Sequence, residues 1–193
     1  MDPSLSGKHV MTHLKDQTIA LVRDIEALPF VWPTAPDADS ARQLKAGSCA
    51  SKHALLAEEL AAIGVESRPL FVIGKLVPDM LADEPELAKA AGLLEVHECL
   101  TVMTPWAGPL RVDVTWDPPL VERGLPGTLE WDGESDMVLA LGATGPGWAP
   151  PRDALREAKE ALRRRLYSAG QRELRDRTLA ALARRFEQWR SGG

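Results

Sequence analysis

The 193-residue chain has no asparagine, a single tyrosine and only two cysteines, Cys49 and Cys99. Without asparagine a Cys-His-Asn triad is excluded, so any acid that orients a catalytic histidine has to be Asp or Glu. Two cysteines are too few for a disulfide framework, which points to a reducing, cytoplasmic setting. No run of about 18 apolar residues is present, so no membrane-spanning helix is expected. The start Met1-Asp2-Pro3-Ser4 lacks the basic and apolar regions of a signal peptide. The Gly- and Pro-containing stretch 142–151 matches neither a phosphate-binding loop nor a dinucleotide fingerprint, because no helix with the required Gly and Lys pattern follows it.

What is present is ordinary globular material, 45% hydrophobic and 26% charged, with a formal net charge of −5. The length suits one domain with a substantial core and an appendage. Charge is uneven: residues 152–190 hold twelve Lys or Arg against six acidic residues, whereas the remainder holds eleven and twenty-two. Within that basic segment Leu155, Ala158, Leu162 and Leu166 form one helical stripe, starting from a cap at Asp153 and running to about Ala169. A break at Gly170 precedes a second stripe of Leu174, Leu179, Leu182, Phe186 and Trp189. The spacing predicts a helical hairpin over 151–193 attached to a domain of residues 1–150. Its arginines alternate with acids and no aromatic platform interleaves them, so solvated helix faces are expected rather than a nucleic-acid surface.

Val10, Leu14, Leu21, Ile25 and Leu28 predict an amphipathic first helix that ends before Pro29, and a short helix capped by Asp39 or Ser40 runs into Gln43 and Leu44. Gly47 and Ser48 then read as a turn and cap, and apolar residues at 55, 56, 60 and 63 continue a helix that Gly64 closes. Cys49 therefore opens a helix, where the unpaired first-turn amides favour thiolate over thiol. Residues 65–74 read as a strand, 84–91 as a helix and 137–141 as a strand. His9 and His13 read as surface residues.

A nucleophilic cysteine needs a base and a group to orient that base. Residues 95–103 and 110–116 are β-prone and flank Pro105-Trp106-Ala107-Gly108-Pro109, which predicts an antiparallel hairpin. With an odd loop, odd positions on both strands share a face, setting His97 opposite or diagonal to Asp113, with Cys99 on that face too. Cys49, His97 and Asp113 are thus the candidate nucleophile, base and orienting acid. Gln43 is a candidate second oxyanion donor beside the Cys49 N–H. Lys52 and His53 are candidate pocket residues, Lys52 either favouring the thiolate or being a solvated charge.

Gly-Ser-Cys opening a helix that ends in Leu-x-x-x-Gly, then a strand His, then Val112-Asp113-Val114-Thr115-Trp116, resembles the transglutaminase-like superfamily of papain-related cysteine enzymes. The resemblance covers roughly residues 40–120. It implies an α+β fold in which the Cys49 helix packs on a small antiparallel sheet, and a Cys49-His97-Asp113 triad that acts on an amide by hydrolysis, deamidation or amine transfer. A peptide, a protein or a small amide is the expected substrate, with no cofactor. Val114 stands where the family usually has Pro, and Glu98-Cys99 follow His97 where small and aromatic residues are common. Two other readings compete. One is a module that keeps the fold for binding without turnover. The other is a zinc site built from Cys49, His53, His97 and Cys99, although Cys-x3-His is not a usual zinc spacing.

Overall fold

An outer strand that alternates over its first residues, a central strand buried on both faces from Glu95 to Leu100, and one tight hairpin produce a small sheet. The structure, a computed structural model that describes residues 3–192, is α+β: six α-helices surround a three-stranded antiparallel sheet among the described residues. The strands β1 (Glu66–Lys75), β2 (Leu94–Thr104) and β3 (Gly108–Val112) lie in the order β1-β2-β3. The loop between β2 and β3 is three residues, 105–107, with Thr104 opposite Gly108 and Leu100 opposite Val112. Gly108 takes φ 84°, a conformation open to glycine at no steric cost. Extending this register sets Asp113 across from Cys99 and diagonal to His97, as the odd loop requires.

Helix α1 (Pro3–Glu26) and helix α3 (Cys49–Ala62) pack Val22, Ile25, Leu55, Leu56 and Leu60 against Leu100, Val102 and Val112 of the sheet. Val10 is 66% exposed, so the packed stripe starts later than the pattern suggested. Helix α2 (Ala38–Leu44) is capped by Asp37, whose Oδ1 accepts the Ser40 N–H at 2.8 Å, two or three residues earlier than expected. Gly64, at φ 79°, ends the turn after α3.

After the short α4 (Pro118–Glu122) come α5 (Leu155–Leu166) and α6 (Ala169–Arg190), the basic hairpin. The hairpin builds a second core: Leu182, Phe186 and Trp189 pack with Phe30, Trp116 and Leu120. Arg190 ion-pairs with buried Asp117, which also accepts the Phe30 N–H at 2.8 Å. Arg163 Nη2 lies 2.9 Å from Glu95 of β2, and Arg175 pairs with the same carboxylate. Both arginines hold Glu95 below the ordinary carboxylate range although burial pushes it up.

Three expectations need correction. The hairpin breaks at Tyr167 and Ser168 rather than at Gly170, which sits in the first turn of α6; Ser168 Oγ accepts the Gln171 N–H and Gln171 Oε1 accepts the Ser168 N–H, a reciprocal cap. Residues 84–91 do not form an α-helix but turns and the 3₁₀ segment Ala88–Ala90. Pro85 lacks an N–H, and the excursion has to return to the end of the sheet it left, where Leu76 N–H meets Leu93 O at 2.8 Å. Residues 137–141 are not a strand. Met137 N–H bonds Arg111 O at 2.9 Å, but Val138 N–H goes to Thr128 Oγ1 at 2.7 Å, Ala140 N–H goes to the Asp113 side chain, and Leu141 turns into the left-handed region at φ 63°. No described helix is long and apolar enough to cross a membrane.

Candidate functional site

Cys49 is the first residue of α3 and is half-buried. Its turn is pinned to the segment after α1: Gly47 N–H bonds Pro29 O at 2.9 Å and Val31 N–H bonds Gly47 O at 3.0 Å. A Cβ on Gly47 would lie 2.5 Å from Ser51 Oγ and 3.0 Å from Lys52 Cγ, so a glycine is needed for this close entry. Ser51 Oγ in turn accepts the Ser48 N–H at 3.0 Å. The helix thus starts at Cys49 with its first amides directed at the thiol's surroundings.

Strand β3 stops at Val112, opposite Leu100, and the partly completed ladder leaves Asp113 free to use its side chain. Asp113 Oδ2 accepts from His97 Nε2 at 2.6 Å and from Ala140 N–H at 2.8 Å, and Oδ1 accepts from Thr115 N–H at 3.1 Å. These bonds fix the imidazole with Nε2 toward the acid. Cys49 and His97 line the same cleft, and Nδ1 is the imidazole nitrogen that Asp113 leaves unengaged.

Burial opposes every charge here, so the pairing decides the protonation states. Burial would raise the Asp113 carboxyl, but His97 and the hydrogen bonds hold it well below the usual carboxylate range. Burial would likewise lower His97, but Asp113 and the Cys49 thiolate raise it to about 10. Burial pushes the Cys49 thiol up, yet the nearby Lys159 ammonium and His97 bring it below its ordinary value. The favoured state is a thiolate–imidazolium pair backed by a carboxylate.

No protein-family model, curated protein or solved structure matches this chain. The chemistry of the site therefore rests on its own geometry.

The other candidate residues are placed differently from expectation. Gln43 is exposed on α2 and does not line the cleft that holds Cys49, so it is not an oxyanion donor in this arrangement. On α2 the buried positions are Ala38 and Ala41, and Gln43 falls off that stripe. Lys52 is neither solvated nor in the cleft. It is fully buried, and its ammonium donates to Glu26 O at 3.0 Å, Leu28 O at 2.8 Å and Thr115 O at 3.2 Å, tying the end of α1 to the segment after Asp113. Burial lowers Lys52 to about 7 and, on the facing side chain, raises Glu26 to about 7.

The raised Glu26 gives a stability prediction. A carboxyl whose folded value exceeds its free value of 4.5 contributes stability that is complete below 4.5 and lost as pH rises through about 7. Urea midpoints are expected to fall from pH 5 to pH 7.5 on this account, and Glu26→Gln to reduce that fall. An unchanged pH dependence in the variant would remove Glu26 from the linkage.

His53 does line the cleft, but as a strut. Its Nδ1 donates to Cys49 O at 2.6 Å and its Nε2 accepts the Val114 N–H at 3.1 Å, joining the first turn of α3 to the residue after Asp113. Burial lowers it to about 4, so it is neutral, with neither nitrogen free to act as base or ligand. Cys99 is fully buried beside Val72 and Leu139, and its thiol donates to Leu70 O. Burial pushes that thiol up strongly. Among the described residues no group of three or more His, Cys, Asp or Glu is arranged to hold a metal ion.

Cys49 and His97 open into a cleft of about 720 Å³. One wall is Trp32, Pro33 and Thr34; the other is α5, with Leu155, Arg156 and Lys159. Lys159 is the site residue that sequence reasoning missed. A signal existed: Lys159 stands four residues after Leu155, three before Leu162 and seven before Leu166, so it sits on the apolar stripe of its own helix.

Proposed function

We propose that this chain is a transglutaminase-like cysteine enzyme that transfers an acyl group from an amide to water or an amine. The observation that carries the reading is the alignment of Cys49 at a helix start, His97 lining the same cleft, and Asp113 at 2.6 Å behind the ring. In this reading the thiolate attacks the amide carbon, and the carbonyl oxygen takes the negative charge, met by the Cys49 N–H. The His97 imidazolium gives its proton to the departing amine nitrogen, leaving a thioester on Cys49 and a neutral imidazole. Neutral His97 then takes a proton from the incoming water or amine as that attacks the thioester, and the C–S bond breaks to restore the thiolate. Asp113 keeps the imidazole oriented throughout. The apolar wall of Trp32 and Pro33 and the mixed wall of α5 suit a side chain or peptide segment in an open groove rather than a sealed small-molecule cavity.

The test has two arms. Iodoacetamide at pH 7 is expected to modify Cys49 at least about 100-fold faster than Cys99, because the thiolate is the reacting species. A set of glutamine- and amide-containing peptides, with and without an added primary amine, is expected to release ammonia or amine with the native chain and none with Cys49→Ala. Equal slow alkylation of both cysteines, with no Cys49-dependent release, would leave a binding module in place of an enzyme.

A further inference from the structure

The acyl-transfer reading uses residues from α3 and the sheet. Across the cleft, however, α5 brings Lys159 Nζ to 4.0 Å from Cys49 Sγ. This lysine is not a loose surface charge. It is 8% exposed, its ammonium lies 3.0 Å from Glu98 Oε2, and it stands 5.8 Å from the centre of the Phe71 ring. The helix that carries it is anchored one turn on, where Arg163 meets Glu95, and α6 grips the same carboxylate through Arg175.

Resting on that reading, we propose that Lys159 is a catalytic residue: it supplies a fixed positive charge to the Cys49 sulfur, which makes the C-terminal hairpin part of the active site. The charge count around the sulfur supports this. Glu98 and His97 face it from β2, with Asp113 behind His97. His53 on α3 is neutral, and Lys159 comes from α5. Without Lys159, Glu98 would be an unpaired like charge beside the thiolate. With it, Glu98 is paired at 3.0 Å, and the ammonium stands 4.0 Å from the sulfur. The charge also has a role that His97 cannot fill. His97 gives up and regains its proton in each half of the reaction, whereas Lys159 takes no part in the proton transfers. The thiolate is therefore a competent leaving group as well as a nucleophile. Poor solvation strengthens this interaction well beyond its value in water.

The experiment follows alkylation of Cys49 by iodoacetamide as a function of pH, by intact mass, with circular dichroism to verify folding. Lys159→Met is expected to raise the midpoint by about one unit or more, and Lys159→Arg to restore most of the shift. Glu98→Gln is expected to lower the midpoint. His97→Gln should keep a midpoint below that of an ordinary cysteine, and His97→Gln with Lys159→Met should bring it to about 8.5 or higher. A folded Lys159→Met protein with an unmoved midpoint overturns the proposal. So does a shift that Arg does not rescue. If Lys159→Met does not fold, Glu98→Gln decides: a lowered midpoint supports the proposal and an unmoved one overturns it. Slow, ordinary alkylation of Cys49 in the native chain would instead overturn the acyl-transfer reading itself, so the two failures are distinguishable.

Discussion

Replacing Asp113 with Asn is expected to lower Cys49-dependent acyl transfer by about 10⁴-fold, the scale set by losing the orienting acid of a triad. The carboxylate receives three donors: His97 Nε2, the Ala140 N–H and the Thr115 N–H. An Asn side chain has one oxygen and one NH₂. Thr115 N–H uses one carboxylate oxygen while Ala140 N–H and His97 share the other. An amide whose oxygen keeps Thr115 therefore turns its NH₂ to His97, makes Nε2 an acceptor, strands the Ala140 N–H and moves the imidazole proton to the side facing the thiol. The ring is then a donor where a base is needed. The electrostatic effect has the same sign. With the carboxylate gone, only Cys49 still opposes the burial that lowers His97, so His97 falls from about 10 and the imidazolium facing Cys49 is weakened. The expected measurement is a drop in turnover at pH 7, with slower Cys49 alkylation at pH 6. A folded variant that turns over at the native rate would place Asp113 outside the reaction.

The second large effect concerns stability. Phe186→Ala is expected to cost about 3–5 kcal/mol in chemical denaturation, the range for removing a fully buried ring. Phe186 is 0% exposed, and its ring centre lies 5.2 Å from that of Trp116, 5.7 Å from Trp189 and 5.9 Å from Phe30. These four rings join the hairpin to the body. Trp116 directly follows the Asp113–Thr115 segment, and Phe30 is bridged to Gly47, just before the nucleophile. A cavity at Phe186 therefore loosens both the hairpin and the turn that places Cys49. Native-state proteolysis should cut within 152–190 in this variant before cutting elsewhere. Denaturation within about 1 kcal/mol of the native chain would show that the site collapses around the loss.

The parity of the hairpin and the helix-start position of Cys49 were legible because both follow from local rules: one face per two residues in a strand, and a cap before a helical stripe. Lys52 and Lys159 were harder, although each lies on the apolar stripe of its helix, Lys52 in line with Leu56 and Leu60. A lysine on such a stripe says that it is buried; only the tertiary arrangement says by what it is met, three carbonyls in one case and a thiol and carboxylate in the other. Gln43 failed for the converse reason. Six residues of separation brought it near in sequence, but the stripe of α2 turned it outward. The expected strand at 137–141 is lost although its alternation is real, with Met137 and Leu139 buried and Val138 53% exposed: Val138 N–H goes to Thr128 Oγ1, Ala140 N–H goes to the Asp113 carboxylate, and Leu141 turns at φ 63°.

The Arg190–Asp117 pair joins residues 73 positions apart and holds the hairpin beside a cleft whose Cys49 and His97 both precede it in the chain. At synthesis rates of about 5–20 residues per second, roughly 4 to 15 s separate the emergence of Asp117 from that of Arg190. During that interval the nascent chain carries its cysteine without the wall that α5 and α6 provide. On the proposed reading, the surroundings of Cys49 are complete only once residues 152–190 have emerged and Lys159 can reach the sulfur.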